Sequence, residues 1–330
     1  HRVVFNEITK NAVTEALKKP RPISTNLWDA YLARRTLDYL MGYDISEFLW
    51  KKVSRHARAG RVQSPALRLI VERENKINEF EPQEYWNVFA NVANDNSEIE
   101  IELSEVNGKK IKKDNITTIE DSVSADEIKA SIEKYNQVKV TNIKHGQRKT
   151  KPRAPFTTAS LQQTAYTSLG LSVKQTSAIA QRLYQGIDID GDSVGLITYM
   201  RTDGINISNE AVNQFRDFIE KDIGKKYLPV EANNYKGKKA KNAQEAHEAI
   251  RPTDVLKKPS SIKKYLSTDQ FKLYDLIWSR AVSSQMNPAE FERNTIQILS
   301  SDKKIKFSAS GSIMKFDGFL KLYPVPDNDE

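Results

Sequence analysis

Twice along this chain the apolar spacing switches from a helical period to strict alternation, and no other feature narrows the fold as much. In 97-SEIEIELSEV-106, Ile99, Ile101 and Leu103 alternate with polar residues, mostly acids, as in a strand with one wet face. The alternation returns near the end, in 294-NTIQIL-299, 303-KKIKFSAS-310 and 313-IMKF-316. Before and between these stretches the period is helical. Leu27, Tyr31, Leu32, Leu37, Leu40 and Met41 repeat at helical spacing after the irregular segment marked by Pro20 and Pro22, with Gly42 as the expected stop. A second helix is expected over 64-SPALRLIVERENKI-77, with Ser64 as N-cap and Pro65 at the first helical position. Further helices are expected over 125–135, 157–169, 173–184, 208–224 (capped by Ser208) and 268–286, and a strand over 137–143. The basic stretch 144-KHGQRKTKPRAP-155 reads as a linker, and 236-KGKKAK-241 as an exposed loop.

This order of periods points to an α+β multidomain fold. The two strand-rich parts, 83–147 and 288–330, are expected to form one discontinuous domain. A helical part, 1–82, precedes them, and a second, 148–287, is inserted between them. At 330 residues there is ample chain for several cores. Mean hydropathy is −0.61, and no run approaches the ~20 apolar residues of a membrane span. There are no cysteines, which removes disulfides and cysteine-ligated zinc from consideration within these residues. The net charge of +8 and pI near 9.2 suit an anionic partner such as nucleic acid, without requiring one.

Four short constellations have residue types suited to phosphate chemistry. In 195-GLITYMRTDG-204, Tyr199 reads either as an apolar-run tyrosine with a solvated hydroxyl or as a nucleophile. A free phenol titrates near ~10 and attacks poorly at neutral pH. Arg201, two residues on and on the same side of an extended segment, favours the phenolate and braces charge building on phosphorus. In 245-EAHEAIRPT-253, His247 and Arg251 lie four apart, as a phosphate clamp or as a plain helix end. Arg at 251 removes the second histidine a zinc peptidase needs, and the upstream tyrosine argues against a tyrosine recombinase. In 59-AGRVQSPALRL-69, small residues let backbone approach a ligand beside Arg61 and Gln63. In 33-ARRTLDYLMGY-43, Arg34 and Asp38 are spaced as an i, i+4 pair, and Arg35 and Tyr43 suit the flanking of a base.

Each of these is weak alone; their order is not. The segments 60-GRVQSPALRLIVERE-74, 155-PFTTASLQQTA-165, 195-GLITYMRTDG-204 and 246-AHEAIRPTD-254 resemble, in order, segments of the type IA DNA topoisomerases, nearest the bacterial branch, over almost the whole chain. The resemblance implies a toroidal enzyme built of a groove-forming helical domain, a β-rich arch and a tyrosine-bearing helical domain with helix-turn-helix-like packing. It implies that Tyr199 forms a 5′-phosphotyrosine, that Arg201 stabilises the pentavalent phosphate, and that His247 positions it. Arg61 and Gln63 would hold the upstream strand, Arg34 and Asp38 would support that groove, and Arg35 with Tyr43 would favour a cytosine. Arg251 would be a lesser DNA contact. Single-stranded and negatively supercoiled DNA are the implied partners, with a monomer acting in the bacterial cytoplasm without ATP.

Two departures accompany the resemblance. Gly204 stands where the family usually has serine. Nothing in the chain resembles the family's TOPRIM domain, which carries the acids for Mg²⁺, and the opening residues, without an initiator methionine, read like the middle of a longer protein. These residues alone are therefore expected to hold no metal, and to bind single strands while cleaving poorly. The competing expectation is a non-catalytic single-strand-binding module in which Tyr199 only stacks on bases.

Overall fold

The computed structural model describes residues 1–5, 7–94, 97–111, 119–135, 137–235 and 248–324. Four helices come first: α1 (Lys10–Lys18), α2 (Thr25–Leu40), α3 (Ser46–Lys52) and α4 (Gln63–Asn78). Thr9 and Ser24 cap α1 and α2 with their hydroxyls. Gly42 does not stop the second of these. The backbone passes through one π turn, Met41–Ile45, and continues into α3, because glycine in mid-helix costs roughly 0.5–1 kcal/mol of backbone entropy without forbidding the helix. α4 starts two residues earlier than expected, with Val62 and not Ser64 at the cap position. The Ser64 hydroxyl accepts from the Gly60 N–H at 3.4 Å, one turn back, and does not act as N-cap.

The sheet draws on both strand-rich stretches. β1 (Phe89–Asn94), β2 (Ser97–Val106), β3 (Lys109–Lys110) and β4 (Val138–Thr150) flank α5 (Ser122–Ile132), which Asp121 caps. β7 (Ala289–Ser300) and β8 (Ile305–Phe316) come at the end of the chain. All pair antiparallel in the order β1-β2-β8-β7-β4, with β3 on β2. Ile101, Leu103, Ile298, Ile305 and Phe307 turn into one small core against Ala125 of α5, whereas Ile99 is left half open. The expected linker at 144–155 is in its first half strand. β4 pairs with β7 as far as Thr150↔Ala289, and exposure on both faces erased the alternation that marks a strand.

Between β4 and β7 lies the large core. It is built by α6 (Thr158–Leu169), α7 (Val173–Gln185), the β5–β6 hairpin (Ile187–Ile189, Asp192–Val194), α8 (Asn209–Phe218), the single turn α9 (Pro259–Ile262) and α10 (Thr268–Ser283). Capping boxes at Thr157/Ser160, Ser172/Gln175 and Ser267/Gln270 fix three helix starts, and Gly170 ends α6 in the left-handed conformation. Phe156, Leu161, Leu183, Phe215, Leu273, Tyr274 and Ile277 are buried, each aromatic or aliphatic side chain contributing roughly 1.5–3 kcal/mol. The expected 208–224 helix ends as α8 and then a π turn, Ile219–Ile223. The loop at 236–241 lies outside the described residues. No helix among those described is long and apolar enough to cross a membrane.

Candidate active site

The segment 195–204 is held from three sides. Leu196 N–H donates to Leu183 O at the end of α7, and Thr253 N–H returns to Leu196 O. Thr198 N–H donates to Arg251 O, while the Thr198 hydroxyl accepts from Arg251 N–H and donates to Ala249 O at 2.8 Å. On the other flank Thr158, at the start of α6, exchanges backbone and side-chain hydrogen bonds with Met200 and Thr202. Gly195 sits where any Cβ would fall 2.8 Å from Tyr184 O and 3.0 Å from Ile8 O, so only glycine fits between α7 and the N-terminal segment.

So clamped, the segment is not the strand its composition predicts. It bends at Thr198 and Met200 and makes one isolated bridge, Ile197↔Pro252. Its alternation nevertheless survives from 199 onward: Met200 and Thr202 are buried, Tyr199 is half-buried, and Arg201 and Asp203 are exposed. The Tyr199 ring meets Tyr184 of α7 edge-on at 5.3 Å. Arg201 instead lines a cleft between α6 and α7. Gly204 N–H donates to the Thr202 hydroxyl. That bond uses the backbone of 204 and is indifferent to a serine side chain.

His247 lies outside the described residues. Arg251 does not lie open to a ligand as a DNA contact requires. It is 6% exposed, its guanidinium 2.6 Å from Glu248, 3.1 Å from Glu7 and 3.0 Å from Pro252 O. Two carboxylates draw the charge inward, so Arg251 ties the N-terminal segment to the strip that pairs with Thr198. Glu248 also accepts from Ser208 N–H, at the cap of α8. The sequence pattern does not single out Glu7, Glu248, Thr158 or Thr198 as supports. Thr158, Thr198 and Glu248 do fall within the segments 155–165, 195–204 and 246–254 that carry the resemblance, whereas Glu7 has no such signal.

The second group lies earlier in the chain, on α2, the π turn, the turn that precedes α4, and the first residue of α4. Arg61 grips Asp38 with two bonds of 2.8 and 3.2 Å. That pairing replaces the expected i, i+4 pair of Asp38 with Arg34. Hydrogen bonding and charge from Arg61 hold the Asp38 carboxyl below its ordinary value, with a weaker pull from Arg34. Arg34, Arg35 and Gln63 are exposed, as is Tyr43, whose ring lies 4.9 Å from that of Tyr39. Gln63 folds its amide back beside Gly60. Among the described residues no three acidic or histidine side chains converge as a metal site.

A single antiparallel sheet with a large helical insertion, which carries the clamped Tyr199 segment, matches the fold of a solved type I topoisomerase. The solved structure of full-length topoisomerase I from Thermotoga maritima superposes with a TM-score of 0.80 at 35% identity, over 99% of this chain and 51% of that one. The family model described as DNA topoisomerase matches residues 22–330, and the chain belongs to that family. It is 45% identical to DNA topoisomerase 1 of Rickettsia bellii over all 330 residues, and 44% identical to that of Xylella fastidiosa over 325. It spans 41% and 39% of those two relatives' lengths.

Proposed function

We propose that this chain carries the cleavage nucleophile and part of the strand-binding groove of a type IA topoisomerase that relaxes negatively supercoiled DNA. The Tyr199 oxygen attacks a phosphodiester of one strand. The phenol gives up its proton to solvent, a phosphotyrosine bond forms to the 5′ side, and the P–O3′ bond breaks, the leaving oxygen taking up a proton from solvent to become a 3′-hydroxyl. Strand passage follows, and attack by that hydroxyl reverses the step. One phosphoester replaces another, so no ATP is needed. Arg201 braces charge on the phosphate. His247 positions it, and Arg61, Gln63, Arg34, Arg35, Asp38 and Tyr43 line the approach of the single strand. Mg²⁺ would be held by acids of a TOPRIM domain outside residues 1–330. The clamping of the Tyr199 segment on three sides supports this reading most, because a nucleophile must be held still and a surface stacking residue need not be.

The test uses the full-length protein with magnesium and a single-stranded oligonucleotide labelled at either end. After denaturation the 3′-end label is expected on the protein, and Tyr199→Phe should abolish it. Retention of the 5′-end label would mean the opposite polarity and overturn the assignment. Salt-sensitive binding with no adduct at all would leave the single-strand-binding module as the answer.

A further inference from the structure

Beside Tyr199 a second feature asks for a ligand. The cleft lined by Arg201 lies between α6 and α7, has a volume of about 420 Å³, and is walled by Thr158, Gln162, Thr176, Ser177 and Gln181 over an apolar floor that includes Leu161 and Met200. That volume lies within the ~300–1,000 Å³ of small-ligand sites. Thr176 is 1% exposed, and its hydroxyl has no hydrogen-bond partner. Its neighbour Ser177 shows the ordinary solution, donating to Val173 O one turn back at 2.8 Å and accepting from the Gln162 amide. A buried orphan hydroxyl carries a desolvation cost that a polar ligand atom would relieve. Gln181 and Arg201 make no hydrogen bond or ion pair among the described residues, so an amide and a guanidinium are open to the same space.

We infer that this cleft is a nucleobase subsite, taking one base of the bound strand while Arg201 holds the neighbouring phosphate. The chemistry matches. Glutamine amides offer a donor and an acceptor together, the pair that a base edge presents in return. The apolar floor suits the face of the ring, and one cation suits one phosphate. A packing gap between helices would need neither two amides nor a cation at its mouth. The inference rests on the topoisomerase reading only for the identity of the ligand as a DNA strand.

Oligonucleotides with a single abasic site, stepped across the cleavage position, test it on the full-length protein. Binding is read by fluorescence anisotropy without magnesium, and adduct formation is read separately with it. For wild type, one position is expected to lose about tenfold in affinity when its base is removed. Gln162→Ala and Gln181→Ala should bind the intact strand more weakly and lose that position's dependence, keeping dependence at positions read by Arg35 and Tyr43. Thr176→Val keeps the shape, should leave the thermal midpoint unchanged or higher, and should still weaken the discrimination, which separates the effect from misfolding. A flat abasic scan, or glutamine variants that weaken all positions alike, overturns the subsite. So does Gln181-dependent binding of a free nucleoside monophosphate with a flat scan. An adduct with a flat scan rejects the subsite alone, whereas a position-specific base effect without any adduct rejects the cleavage reading and keeps the subsite.

Discussion

Arg251 shows what a charged side chain does once water is excluded. Its guanidinium lies between Glu7 and Glu248, whose side chains are 20% and 17% exposed, while its backbone pairs with Thr198. Removing one member of such a group leaves uncompensated charge, at about 3–5 kcal/mol in a dry site. Partial solvent access to both acids places Arg251→Leu near the low end, at about 3 kcal/mol, measured by urea unfolding. A loss below about 1 kcal/mol would mean that the pair is incidental. The segment 246-AHEAIRPTD-254 does not by itself separate this role from a phosphate contact, because Glu248 one turn away could brace an arginine in either. The partner that decides it, Glu7, is distant in sequence.

At the scale of elements, the β7–β8 turn depends on Asp302. Its carboxylate accepts from the Ser300 hydroxyl at 2.6 Å, from Tyr135, which follows α5, and from Lys304 N–H at 3.0 Å. These bonds lower its pKa from 3.8 to about 2, the Ser300 bond contributing most. A carboxylate depressed on folding stabilises fully above its unfolded value, and that contribution fades as pH falls through the folded one. Asp302→Asn should therefore lower the urea midpoint at pH 6, and the gap to wild type should close between about pH 4 and pH 2. A gap unchanged at pH 2 would locate the effect in shape and not in charge. Elements with a clear signal were legible from the start: helices over 157–169 and 173–184 match α6 and α7 within a residue or two. β4 was legible only as far as 143, since a ribbon wet on both faces carries lysines and arginines where a half-buried strand would alternate.

Across the whole molecule, burial is uneven. α1, α2 and α4 hold no buried residue, and Leu27, Trp28, Tyr31, Leu67 and Ile70 are 40–64% exposed. α10 alone buries Leu273, Tyr274, Ile277, Trp278, Ala281 and Val282. Opening a helix costs what its buried contacts contribute. Amides of α6, α7 and α10 are therefore expected to exchange slowest with deuterium in these 330 residues, and those of α2 and α4 orders of magnitude faster. Equal protection in α2 and α10 would show that the first helices have a core of their own.

By itself the sequence determined the alternation of helical and strand-rich parts, the helix starts with a capping residue, and the motif order that singles out Tyr199 and Arg201. These are local or nearly local properties, written in spacing and side-chain type. Tertiary structure alone decided that Arg251 faces Glu7 and Glu248, that Arg61 and not Arg34 takes Asp38, and that Thr158 and Thr198 pin the Tyr199 segment. It also decided that Thr176 is left unpaired at the wall of a cleft. Apart from the i, i+3 pair of Arg251 with Glu248, each is a contact between residues that meet only because the chain has folded, and no spacing along the chain encodes which of several chemically able partners comes within bonding distance.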